Sequence, residues 1–184
     1  PPLNSMGEPL RVEGEFFVMK RKGVEFEFKV ARGSKYTGKG EMILTTCRVI
    51  CLNNKNNSAF KAFDLPIALI SKEGFEQPIF GANYICGQCK PLMNILPGIV
   101  SFKIWFMNGG CGTFAPAYLK MVASCRRNKY RGIEQNLMNT VQNGTYRKTA
   151  YIDPNDPSII YLQQPQLAQN IQYNPMGYVP IQQP

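Results

Sequence analysis

The chain has 184 residues, of which 44% are hydrophobic and 18% charged, and it carries a net charge of +9 with no histidine. That length supports one well-buried core, the apolar content excludes a wholly disordered polypeptide, and the missing histidine removes Ser-His and Cys-His nucleophile pairs and His-based zinc motifs. No apolar run approaches the ~18 residues that a membrane-crossing helix requires.

All 21 basic residues lie in residues 1–148 together with 10 of the 12 acidic ones, so that stretch carries +11. A surface this basic favours acidic partners: anionic lipid, nucleic acid or an acidic protein face. Pro1 to Glu15 has neither the basic start nor the apolar stretch of a signal peptide, and the expected location is cytoplasmic and/or nuclear, not secreted and not transmembrane. In a reducing compartment Cys47, Cys51, Cys86, Cys89, Cys111 and Cys125 are expected as buried small hydrophobes, not disulfides.

In chain order, Glu15 to Met19 reads as a strand, Lys20-Arg21-Lys22-Gly23 as a tight turn, and Val24 to Val30 as a second strand with strictly alternating apolar and charged residues. A Gly-rich basic loop is expected over Ala31 to Gly40, then strands at Glu41 to Thr45 and Arg48 to Leu52. Asn53 to Ser58 reads as a turn, and short strands are expected at Phe60 to Leu65, Leu69 to Phe75, Ala82 to Cys89 and Val100 to Phe106. Asn108-Gly109-Gly110 ends the strands, and a helix is expected from near Thr113. Its face would be formed by Phe114, Ala117, Tyr118, Met121, Val122 and Cys125, with Pro116 in its first turn.

A short helix is possible on pattern over Ile133 to Gln142. From Asp153 onward recurrent Pro and Gln prevent regular structure, yet Ile159, Ile160, Tyr161, Leu162, Tyr173, Pro175 and Tyr178 are adhesive groups that a solvated linker avoids. These seven residues are the candidate partner-docking positions. The candidate anion- or phospholipid-binding rim is Lys20, Arg21, Lys22, Arg32, Lys35 and Lys39, on the supposed turn and the following loop. Those basic loops are not interleaved with aromatics for base stacking, so nucleic acid is not expected as a direct ligand.

For chemistry the sequence offers little. There is no Walker or Rossmann pattern, and Glu25 and Glu27 fall on the outer face of an alternating strand. Cys86-Gly87-Gln88-Cys89 with Cys47 and Cys51 has the look of a zinc set, but positions three apart on a strand face opposite sides and positions four apart are separated by ~13 Å. No catalytic residue, metal site or cofactor is expected.

Lys39 to Leu52 (Lys-Gly-Glu-Met-Ile-Leu-Thr-Thr-Cys-Arg-Val-Ile-Cys-Leu) resembles the core of a GRAM domain, and Gln77-Pro78-Ile79-Phe80-Gly81-Ala82-Asn83-Tyr84-Ile85 resembles the segment that marks the WW-domain-binding protein 2 family. The resemblance covers roughly residues 10–128. It implies an α+β, pleckstrin-homology-like barrel or sandwich of about seven antiparallel strands capped by one C-terminal helix. It also implies adaptor work without catalysis, in coactivators that recruit WW domains through Pro-Pro-x-Tyr motifs. No Pro-Pro-x-Tyr occurs in these 184 residues, the nearest stretch being Tyr173-Asn174-Pro175-Met176-Gly177-Tyr178, so WW-domain binding is not predicted.

The expected organisation is an N-terminal arm over 1–10, a GRAM domain over 11–128, a linker over 129–148 and a docking tail over 149–184. The expected role is a non-enzymatic adaptor binding proteins in a larger assembly. The alternatives are a peripheral module reading acidic phospholipid and a structural component of a cytoskeletal or filament assembly.

Overall fold

A computed structural model describes residues 1–31, 33–54, 60–92, 96–126, 151–152, 159–161, 171–174 and 177–180. The alternation of Val24 to Val30 belongs to a longer element: Phe17–Val30 is one 14-residue strand, β1. Lys20-Arg21-Lys22-Gly23 is therefore not a turn. The register against β2 (Lys35–Thr45) shifts between Lys22 and Val24, inserting one extra residue, and Gly23 takes φ +66°. Because side chains alternate with period 2, a one-residue bulge exchanges inside for outside. Met19 and Arg21 face inward before it, and Val24, Phe26, Phe28 and Val30 after it, while Phe17, beyond a further register shift, packs in a second cluster with Ile43 and Ile50. A Cβ at position 23 would overlap the side-chain amide of Asn108, so the bulge requires glycine for space as well as for φ.

The expected loop over Ala31 to Gly40 is also shorter, since β2 already begins at Lys35. The strands β3 (Arg48–Asn53) and β4 (Ala62–Pro66) continue the antiparallel meander. A 3-10 turn at Ile67–Leu69 leads to β5 (Ile70–Glu76), β6 (Tyr84–Cys89) and β7 (Val100–Phe106). The strand order β4-β3-β2-β1-β7-β6-β5 makes β1 the spine, hydrogen-bonded to β2 on one side and to β7 on the other from Val24 onward. The seven antiparallel strands curl into a half-barrel, and one helix, α1 (Cys111–Arg126), packs against the 3-10 turn and β5. Seven antiparallel strands closed by one helix is the α+β layout that the sequence led us to expect.

The helix starts two residues earlier than expected, after the left-handed pair Gly109 and Gly110, which places Pro116 deeper than the first turn. Phe114, Tyr118, Met121 and Val122 are buried as the periodicity requires, and Ala115 joins them, while Ala117 and Cys125 are half-buried. Arg126 in its last turn donates to Glu73 and, at 3.4 Å, to the Ile70 carbonyl, fastening the helix end to β5.

Inward-facing residues of both halves of the sheet form one continuous core. At one end Phe28 and Phe63 stack with ring centroids 4.1 Å apart beside Phe26 and Phe60; at the other Phe106, Phe114 and Tyr118 pack together beneath the helix. Each buried aromatic or aliphatic side chain contributes roughly 1.5–3 kcal/mol. The N-terminal arm is fastened to this body by a buried ion pair. Arg48 donates to both oxygens of Glu15 at 2.7 and 2.9 Å, to Asp64 at 3.0 Å and to the Leu10 carbonyl at 2.7 Å.

The sheet does not end with residue 128. Two short strands from the expected tail, β8 (Tyr151–Ile152) and β9 (Ile159–Tyr161), pair with each other, and β9 pairs with β1. Further on, β10 (Ile171–Asn174) and β11 (Gly177–Pro180) form a separate two-stranded sheet. The possible helix over 133–142 lies outside the described residues.

Candidate protein-docking surface

The outer face of β1 and β2 gathers four residues of the expected basic rim, but each faces a carboxylate. Lys20 and Lys22 both pair with Glu41, Lys22 at 3.9 Å. Lys35 bonds Glu27 at 2.7 Å, with Lys29 on the same carboxylate at 3.2 Å, and Lys39 meets Glu25 at 2.5 Å. The Lys35 hydrogen bond is the main cause that holds the Glu27 carboxyl below its ordinary range. The face is a cross-strand ladder of alternating sign, which gives a soluble surface with modest net attraction for anions.

Arg21 departs from the expectation altogether. The bulge turns it inward, where it is fully buried, donates to the Gly109 carbonyl and lies 5.9 Å from the Phe106 ring centroid. It supports the turn into α1 and cannot reach a surface ligand. Arg32 lies outside the described residues.

The tail positions divide in the same way. Ile159 is fully buried within the core cluster and Ile160 is half-buried, while Tyr161 completes β9. The expectation that Ile159 docks on a partner is corrected by this burial: an aliphatic side chain already removed from water by its own domain has no surface left to offer. Tyr173 and Tyr178 are register partners in the backbone pairing of β10 with β11. Leu162 and Pro175 lie outside the described residues.

Burial raises Cys89 and Cys111 to about 12 and Cys125 to about 11, and also raises Cys51 and Cys86, so all stay protonated near neutrality. Among the described residues there is no cluster of three or more Cys, Asp or Glu able to hold a metal.

What the sequence reading missed lies between β5 and β6. In the connecting loop Ile79 is 93% exposed and Phe80 91%, side by side and followed by Gly81 at φ +106°. Two adjacent large apolar residues this open to water form a local apolar patch beside the paired charges of β1 and β2. The loop rims a groove of about 490 Å³ on the outer face of the sheet, walled by Gly81, Ala82, Met107, Trp105, Glu25 and Lys39. Its row is set by register: Tyr84 of β6 opposes Trp105 of β7, Trp105 opposes Glu25 of β1, and Glu25 opposes Lys39 of β2. The Tyr84 and Trp105 rings lie 5.7 Å apart, and the Lys103 ammonium sits 5.0 Å from the Tyr84 centroid. Met107, half exposed, extends the apolar rim. A sequence signal existed: Pro78-Ile79-Phe80-Gly81 places two apolar residues between a Pro and a Gly, where neither strand alternation nor a helix can bury them.

A second cavity of about 360 Å³ lies by the edge strand β4, lined chiefly by Phe63, Leu65, Pro66, Leu96 and Val100, with Pro1 and Pro2 of the arm. It is apolar, and its only acidic group, Asp64, is already engaged by Arg48.

No protein-family model matches the chain. Over 169 residues it is 31% identical to the WW domain-binding protein 2 of Rattus norvegicus, an alignment covering 89% of this chain and 58% of the relative. Identity to the postacrosomal sheath WW domain-binding protein of Macaca fascicularis is 34% over 118 residues, covering 60% of this chain and 46% of that one. Among solved structures, the Vps36 N-terminal PH domain aligns with a TM-score of 0.49 at 14% identity, covering 66% of this chain and 89% of that one. The chain spans a little over half the length of the WW domain-binding protein 2 it matches. Across the residues they share, the chain is similar to WW domain-binding protein 2.

Proposed function

We propose that the protein is a non-enzymatic adaptor that binds other proteins through the outer face of its half-barrel, with the Ile79-Phe80 loop and the Trp105 groove as the contact. The observation that carries this is the pair of adjacent apolar side chains, 93% and 91% exposed, in the loop that leads directly into Gly81 and Ala82 of the groove lined by Trp105 and Met107. Holding them in water forgoes roughly 1.5–3 kcal/mol each, a loss that a partner recovers on covering them. Its relatives are named for binding WW domains. No Pro-Pro-x-Tyr occurs in these 184 residues, and the contact proposed here is of a different kind.

The phospholipid alternative loses its main support once Lys20, Lys22, Lys35 and Lys39 are each committed to a carboxylate and Arg21 is buried. A filament component remains compatible with the net charge of +9, but no particular surface favours it.

The test is co-purification of partners with the parent chain and with the Ile79→Ser/Phe80→Ser double variant. Loss of specific partners from a variant that melts like the parent supports the reading, and an unchanged set overturns it. The Pro/Gln-rich segment is tested separately by ending the chain after residue 162, which keeps β8 and β9 in place. Ending it at 148, by contrast, removes a core residue.

A further inference from the structure

The spine strand β1 is longer than the strand beside it. β7 pairs with β1 only from Val24 to Val30, so on that side the stretch from Phe17 to Gly23 has no β7 neighbour. The position is filled by β9, with Ile160 opposite Lys20 and Ile159 opposite Arg21. Ile159 enters the core, fully buried, and β8 then pairs with β9 on its far side. The wall of the slot is built in place: Arg21, opposite Ile159, is held by the Gly109 carbonyl and the Phe106 ring. The register shift at Gly23 falls where the pairing with β7 stops, and the position lies beyond it.

We propose that this position is a peptide-binding slot, specific for an extended strand with a branched aliphatic residue at the position of Ile159, and that the chain fills it with its own residues 159–161. It is independent of the docking reading of the Ile79-Phe80 loop. The recognition is strand addition: main-chain hydrogen bonds to the free edge of β1 supply affinity, and the buried site of Ile159 supplies selectivity.

Three features make the occupant exchangeable instead of permanent. It is three residues long with two register pairs to β1, whereas β7 makes seven. It follows Pro154 and Pro157, which cannot donate to a ladder and so limit how far the pairing can spread. It belongs to the same chain, separated from the end of α1 by the 32 residues 127–158, so it is held at its site by an intramolecular effective concentration that a free peptide must exceed. The pairing is short, and its opening takes one core side chain, Ile159, out of the domain.

The test uses the full chain and a fluorescent peptide of residues 149–163. In the Ile159→Asp variant the slot is vacated, and the peptide is expected to bind saturably and at least about ten-fold more tightly than to the parent, whose own strand competes. A peptide carrying the same Ile159→Asp change should not bind. No saturable binding to the variant, or equal binding to variant and parent, overturns the proposal. Should Ile159→Asp fail to fold, a protease site placed between Asn139 and Thr140 gives a second route. After cutting, the folded domain must bind the labelled peptide in competition with the 140–184 fragment, and failure to do so overturns the slot. A parent that is a dimer and loses β9 pairing on dilution would show that a second copy supplies the strand, and would overturn the assignment within one chain.

Discussion

The β1–β2 face and the β5–β6 loop treat their conspicuous residues in opposite ways. On the first, the lysines that dominate the sequence are matched across the strands by Glu25, Glu27 and Glu41, so the surface is electrically quiet at close range. On the second, Ile79 and Phe80 have no cover at all. A charged side chain in water needs no further explanation, and paired charges add little energy; an uncovered Ile-Phe pair forgoes energy that a partner would restore. The difference teaches that net charge was the louder signal in this sequence and the less informative one. Local mismatch between residue and environment points to function more directly than composition does.

The comparison can be broken most severely at the charges that are not on the surface. Arg48→Ala leaves Glu15 buried without its bidentate partner, and loss of one member of such a pair is expected to cost about 3–5 kcal/mol. Urea denaturation should show this as a lowered midpoint with an unchanged slope, and a change below about 1 kcal/mol would mean the arm is not fastened as described. Gly23→Ala is expected to cost about 1–3 kcal/mol, because the bulge demands a left-handed residue and the added methyl meets Asn108. Combining it with Asn108→Gly should return part of that loss, and no recovery would place the cost in the backbone alone. Ile79→Ser/Phe80→Ser, in contrast, should shift stability by less than about 0.5 kcal/mol, as for other exposed positions. A large loss would show the loop to be part of the core, and the contrast between the two regions would fall.

Much of the half-barrel was readable in advance because its strands obey a period of two over long runs. Val100 to Phe106 was delimited to the residue, and Phe114, Tyr118, Met121 and Val122 marked the inner face of α1 correctly. The failures share one physical origin. Lys20-Arg21-Lys22-Gly23 has the composition of a turn, and nothing local distinguishes a turn from a bulge in a continuous strand; the choice depends on Asn108 and on β2, far away in the chain. Burial of Arg21 followed from that one error of register. Ile159 was recognised as adhesive, but its acceptor is the uncovered edge of β1, and that edge is defined only once β7 stops at Phe106. The buried Arg48–Glu15 pair joins residues 33 apart that each look like ordinary strand residues.

The smallest effect tests whether the charge ladder is as quiet as its geometry suggests. Glu27 is held below the usual carboxylate range chiefly by its hydrogen bond to Lys35, so folding favours its ionised form. Stability from this source is complete above the ordinary carboxylate pKa and is lost as pH falls through the lower, folded value. Because the group lies at the surface and is screened, the amount is expected to be at most about 0.5 kcal/mol. Glu27→Gln should therefore be nearly as stable as the parent near neutrality and should lose less on acidification, the two curves converging at low pH. Added salt should shrink the neutral-pH difference further. A gap above about 1 kcal/mol that resists salt would mean the ladder is a stabilising network, and the lysines of β2 would then be structural in the same sense as Arg48.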